Sequence, residues 1–159
     1  IIMADAYRPP YISQNMSTVS FFEIAASKLS GNGILVMNVG RTENNRSLIE
    51  SIVSTAHQVF PSVYIVDLPD TFNSVIFASR NHISAENLRE NYDRLSAALD
   101  TPQLLLETLS LAIGNLRTEP EKAGIVFTDD FAPVEEFTNS ILLDSIFEPE
   151  EKTQREGHE

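Results

Sequence analysis

Short apolar runs of strand length alternate with segments whose apolar residues recur every three or four positions, and that order leaves few architectures open. Ile34-Leu35-Val36-Met37-Asn38-Val39 is such a run, closed by Gly40. Its lack of apolar-polar alternation suits a strand covered on both faces. Residues 63–66 and 74–79 read as two more strands, broken by Pro69-Asp70 and close enough to pair as an antiparallel hairpin. Behind Ser17 or Thr18 as cap, Val19, Phe22, Ala26 and Leu29 recur at helical spacing, and Ser30-Gly31-Asn32-Gly33 ends that helix. Leu48, Ile49, Ile52, Val53, Ala56 and Val59-Phe60 repeat the pattern over residues 46–60, up to Pro61. With Ile1-Ile2-Met3-Ala4 as an opening strand, the order is β-loop-α-β-α-β-β. This predicts an α/β fold: a mostly parallel sheet with right-handed crossovers, and a final hairpin that puts one antiparallel strand near the edge.

Past the hairpin the pattern turns helical. Residues 84–99 form one expected helix, and residues 101–116 a second that Pro102 opens in its first turn. Ile125-Val126-Phe127 precedes an acidic stretch, and a last apolar-periodic segment covers residues 141–147. From Glu148 onward the chain is charged and poor in apolar residues, which predicts a disordered acidic tail. The apolar start is itself unusual, since a terminal strand exposes backbone groups unless something pairs with it. The expectation is that upstream sequence belongs to the same fold.

The balance of charge narrows the partners. Lys and Arg number 11 against 23 acidic residues, a formal net charge of -12. Binding a phosphate backbone needs clustered cations, so nucleic acid is not an expected partner, while a cationic small molecule fits the sign of the field. Cys is absent, which removes disulfides and thiolate chemistry. His57, His82 and His158 show no metal-ligand spacing, and no metal is expected. No apolar run reaches the roughly 20 residues a membrane helix needs, so a cytoplasmic setting is the default.

The chemistry-bearing stretch follows the first strand. Asp5-Ala6-Tyr7-Arg8-Pro9-Pro10-Tyr11-Ile12, with Thr18 and Phe21-Phe22 behind it, is similar to the segment after strand four in spermidine-synthase-like proteins. Leu29-Ser30-Gly31-Asn32-Gly33-Ile34 resembles the turn before strand five of the same family. Thr128-Asp129-Asp130-Phe131-Ala132-Pro133-Val134-Glu135 resembles a motif near the C-terminus of the branch often fused to membrane transporters.

The resemblance implies the C-terminal half of a Rossmann-like domain of the S-adenosylmethionine type over residues 1–80, a helical extension over 81–147 and the tail at 148–159. It implies aminopropyl transfer from decarboxylated S-adenosylmethionine, as co-substrate, to a polyamine such as putrescine. In such proteins the carboxylate at the end of strand four takes the amine's proton, which matches Asp5, and an ammonium has no lone pair until a base removes that proton. Asp5 and Ala6 would also touch the co-substrate. Tyr7, Tyr11, Asp129 and Asp130 are the other candidate substrate contacts. Asp129, Asp130 and Glu135 have a plainer reading as caps of the helix that follows them.

Two departures qualify the acceptor. The family places a second carboxylate three residues after the first, before a proline, where this chain has Arg8, and Asn38 stands where a Gln is common. No glycine-rich turn after a first strand is present for a nucleotide, because Gly31 and Gly33 lead from a helix into a strand. The sequence by itself is therefore expected to be inactive as a fragment. A methyltransferase on the same scaffold and a non-catalytic Rossmann-like module stay open. So do a homodimer, and a place as the cytoplasmic domain of a transporter fusion.

Overall fold

The computed structural model of the chain describes residues 1–5, 7–8, 11–117 and 122–147, with backbone alone at 7, 8, 11 and 147. The tail expected at 148–159 lies outside the described residues. Four strands make one sheet: β1 (Ile2–Ala4), β4 (Ile34–Gly40), β5 (Ser62–Asp67) and β6 (Asn73–Ser79), in the order β1-β4-β6-β5. A separate two-rung ladder joins β2 (Tyr7–Arg8) to β3 (Tyr11–Ile12), Tyr7 opposite Ile12 and Arg8 opposite Tyr11.

β1 runs parallel to β4, with Ile2 opposite Leu35 and Ala4 opposite Met37. β6 is antiparallel to β4 from Ile34↔Ser79 to Gly40↔Asn73, and antiparallel to β5 from Ser62↔Ser79 to Asp67↔Ser74. Three strands thus point one way and β6 alone points the other, so the expected α/β class and terminal hairpin both form. The hairpin lies at the sheet margin, but its second strand turns inward between β4 and β5, and β5 becomes the edge. Ser74, Ile76 and Ala78 share the buried face of β6, while Asn73, Val75 and Phe77 on its other face are partly covered.

Helix α1 (Val19–Lys28) starts at Thr18, whose Oγ1 accepts the backbone N–H of Phe21 at 3.4 Å. It buries Phe22, Ala25 and Ala26. Helix α2 (Ser47–Ala56) buries Leu48, Ile49, Ile52, Val53 and Ala56 on the same core. The helical pattern read through Phe60 stops at Ala56 and continues as turns. Phe60 is nevertheless fully buried, its ring edge-on to Phe22 with centroids 6.3 Å apart. Each such aromatic contributes about 1.5–3 kcal/mol through burial alone.

Helices α3 (Glu86–Ser96) and α4 (Gln103–Asn115) pack on each other and bury no residue of their own. After α4, Leu116 bridges to Val66 and the Arg117 N–H donates to the Ile65 carbonyl at 2.9 Å, which seats the chain against β5. Residues 122–127 then form an extended strap laid along α2. Three of its N–H groups are taken by α2 hydroxyls: Gly124 by Ser54 at 2.9 Å, Ile125 by Ser51 at 3.2 Å and Phe127 by Thr55 at 2.9 Å. A side chain at Gly124 would meet the Ser51 backbone nitrogen at 2.3 Å, so only glycine lets the strap lie this close. Helix α5 (Val134–Phe147) follows, with Val134 and Ile141 buried in the core that also holds Phe127 and Ile12. No described helix is long and apolar enough to cross a membrane.

Candidate functional site at the carboxyl edge of the sheet

Because β1, β4 and β5 point one way, their C-terminal ends share one edge, the place where open α/β sheets put ligands. Asp5 follows β1 directly and is exposed there. Ala4 pairs with Met37, so the next residue along, Asn38, stands beside Asp5 on the neighbouring strand. Its Nδ2 donates to Asp5 Oδ1 at 3.3 Å. A carboxylate steadied this way is pre-oriented toward solvent, where a cation can reach it.

The acidic pair near the C-terminus reaches the same edge. Helix α1 leaves that edge because it follows β1 and must run back before β4 can start in parallel. Thr128 and Phe131 close a tight turn by mutual backbone hydrogen bonds of 2.9 and 3.1 Å, and Asp129 projects from it. Asp129 Oδ2 accepts from Ser20 Oγ at 2.7 Å, in the first turn of α1. The Thr18 hydroxyl, and then that of Ser20, hold this exposed carboxyl below the usual carboxylate range. The helix Asp129 serves is α1, not the α5 that follows it, because the Val19 N–H donates to the Phe127 carbonyl at 3.0 Å and brings the turn there. Asp130 is exposed in the same turn. Ala6 lies outside the described residues, as do the side chains of Tyr7, Arg8 and Tyr11.

A second cluster occupies the other end of this edge, and no sequence motif pointed to it. Asp67, the last residue of β5, sits among Arg41, Arg46 and Arg117. Arg46 approaches with both terminal nitrogens, Nη1 to Oδ2 at 3.1 Å and Nη2 to Oδ1 at 3.2 Å. Arg41 Nε donates to Asp67 Oδ1 at 3.2 Å and to Ser74 Oγ at 2.9 Å, and Ser74 in turn donates to Asp67. Arg117 Nε stands 3.9 Å from Oδ2. Burial pushes the Asp67 pKa up, but the Ser74 hydroxyl and the Arg46 and Arg41 guanidiniums outweigh it and hold the carboxyl below its usual value. The available signal was the position of the arginines around the β4–α2 connection, in a chain with only 11 basic residues.

No family model matches the chain. It is 29% identical over 150 residues to a protein of Bifidobacterium longum described as a probable polyamine aminopropyl transferase, a match covering 85% of this chain and 33% of that protein. A crystal structure of a probable spermidine synthase from Corynebacterium glutamicum superposes with a TM-score of 0.52 at 17% identity, over 82% of this chain and 48% of the other. The chain is similar to both proteins. It spans about a third of the curated relative and about half of the solved one. At 17% identity the structural match concerns the fold alone.

Proposed function

We propose that this spermidine-synthase-like chain supplies the amine-accepting side of an aminopropyl transfer, with Asp5 as the base. The observation that carries the reading is the Asn38–Asp5 hydrogen bond at the carboxyl edge of the sheet. A carboxylate fixed there attracts a protonated amine, takes its proton and frees the nitrogen lone pair for attack on a carbon beside a sulfonium. The donor would be decarboxylated S-adenosylmethionine and the acceptor a polyamine such as putrescine, in keeping with what the Bifidobacterium relative is called. The net charge of -12 favours approach of such a cation.

Asp129 and Asp130, on the turn beside the start of α1, are proposed to extend the acidic rim, and Tyr7 and Tyr11 to line it. Ala6 joins Asp5 as the proposed contact to the donor. Among the described residues no glycine-rich turn leads from a strand into a helix, so no residue here is assigned to the adenosyl group. The test uses the protein that carries this chain, with decarboxylated S-adenosylmethionine and putrescine, and measures methylthioadenosine and spermidine. Asp5→Asn should lower kcat by about 100-fold or more with the fold retained by circular dichroism. Full turnover by Asp5→Asn would remove the base, and methylated product from intact S-adenosylmethionine would replace the reading with a methyltransferase.

A further inference from the structure

The arginine cluster around Asp67 does not suit an amine. It lies three strand positions from Asp5, from β1 across β4 and β6 to β5, which at about 4.8 Å per step is about 14 Å. It borders a cleft of about 720 Å³ whose lining includes Arg41, Arg46, Asp67, Asp70, Phe72 and Arg117. That volume is in the range of small-molecule pockets.

The charges in the cleft are unevenly placed. Three guanidiniums converge on one carboxylate, while the two other acids of the lining, Glu43 and Asp70, are exposed. An ion-pair latch between the β4–α2 connection and β5 needs one arginine, and Arg46 already meets both oxygens of Asp67. Arg41 is the informative member. Its side chain is only 12% exposed, and its hydrogen bonds to described residues all leave from Nε, toward Asp67 and Ser74. Its two Nη groups thus have no hydrogen-bond partner among the described residues. A guanidinium on a mostly buried side chain, with no partner for its terminal fork among the described residues, can meet a planar oxyanion.

We infer that this cleft is an anion site, separate from the Asp5 edge, that takes a small molecule bearing a carboxylate or a phosphate through the Arg41 fork, with Arg117 at its mouth. The site does not depend on the reading of Asp5. The lining sets three guanidiniums against three carboxylates, but Asp67 is already paired and Glu43 and Asp70 are exposed, so the arginine wall is the part of the cleft that meets an anion. Asp70, on the cleft wall with a left-handed backbone at φ 57°, opposes the anion by its charge.

Calorimetric titration with inorganic pyrophosphate and with malonate, against sodium chloride matched for ionic strength, tests the site. The expected result is saturable binding, one equivalent per chain, by at least one of the two. Pyrophosphate alone marks a phosphate-bearing ligand and malonate alone a carboxylate-bearing one. Arg41→Gln should weaken binding about tenfold, the effect of losing a charge-assisted hydrogen bond. Asp70→Asn should tighten it several-fold, and this variant keeps the probe informative if Arg41→Gln fails to fold. Absence of saturation above the chloride control, or affinity unchanged in both variants, overturns the proposal.

Discussion

Asn38 and Asp5, separated by 33 positions in the chain, meet through one amide-to-carboxylate hydrogen bond of 3.3 Å across the β1–β4 pair. The bond orients the proposed base without neutralising it. Asn38→Ala should therefore reduce kcat/KM about tenfold, about 1.4 kcal/mol, while leaving the fold intact. Asn38→Asp keeps the size but removes the donor and should lower kcat/KM at least as much, which steady-state kinetics reads directly.

Asp67 gives the chain a defined acid sensitivity. Its folded-state pKa lies below the ordinary 3.8, so its contribution to stability is complete above that value and is lost as pH falls through the lower folded value. Asp129 has a shift of the same sign and adds to the same window. Urea midpoints should fall below about pH 4. In Asp67→Asn the midpoint at pH 7 should be lower than in the native chain, and the difference should shrink as the native carboxyl is protonated. A constant difference from pH 7 to pH 2.5 would contradict this account.

Gly124 and Gly31 make a matched pair. A methyl group at Gly124 meets Ser51 and Glu50 backbone atoms at 2.3 and 2.4 Å, whereas nothing lies within 4 Å of one at Gly31. Gly124→Ala must push the strap off α2 and should cost about 1–3 kcal/mol. Gly31→Ala should stay within about 0.5 kcal/mol of the native chain by chemical denaturation.

Thr18 both caps α1 and stands beside Asp129. Thr18→Ala should cost about 1 kcal/mol through the lost cap. Asp129→Asn should destabilise in the same direction. The double variant should show less than the sum, since the two groups share one helix end; strict additivity would place them in independent roles.

Much of the sheet was legible because its strands are uninterrupted apolar runs. Residues 34–39, 63–66 and 74–79 became Ile34–Gly40, Ser62–Asp67 and Asn73–Ser79. Thr18 was readable as a cap for the same local reason. Helix ends were harder. Val59 and Phe60 face the core from turns, and periodicity alone does not separate a buried turn from a last helical turn. α5 begins at Val134 rather than near Ile141, so Glu135, which the sequence offered as a cap of the helix that follows, lies in its first turn together with Glu136. Asp5 was picked out by resemblance, and its neighbour Asn38 by the same route. The Arg41, Arg46, Asp67 and Arg117 cluster was not assembled from the sequence, because its members come from three separated segments, the β4–α2 connection, the end of β5 and the chain after α4, and converge only after β6 inserts between β4 and β5.

The strap over residues 122–127 depends on side chains rather than on a neighbouring strand for its backbone partners. The amides of Gly124, Ile125 and Phe127 can exchange with solvent only when the Ser51, Ser54 and Thr55 face of α2 lets go, so the two segments should open as one cooperative unit. In deuterium, the N–H groups of Ile125 and Phe127 would then exchange with the same free energy as the middle of α2, and the slow core of this chain would extend well past its last strand.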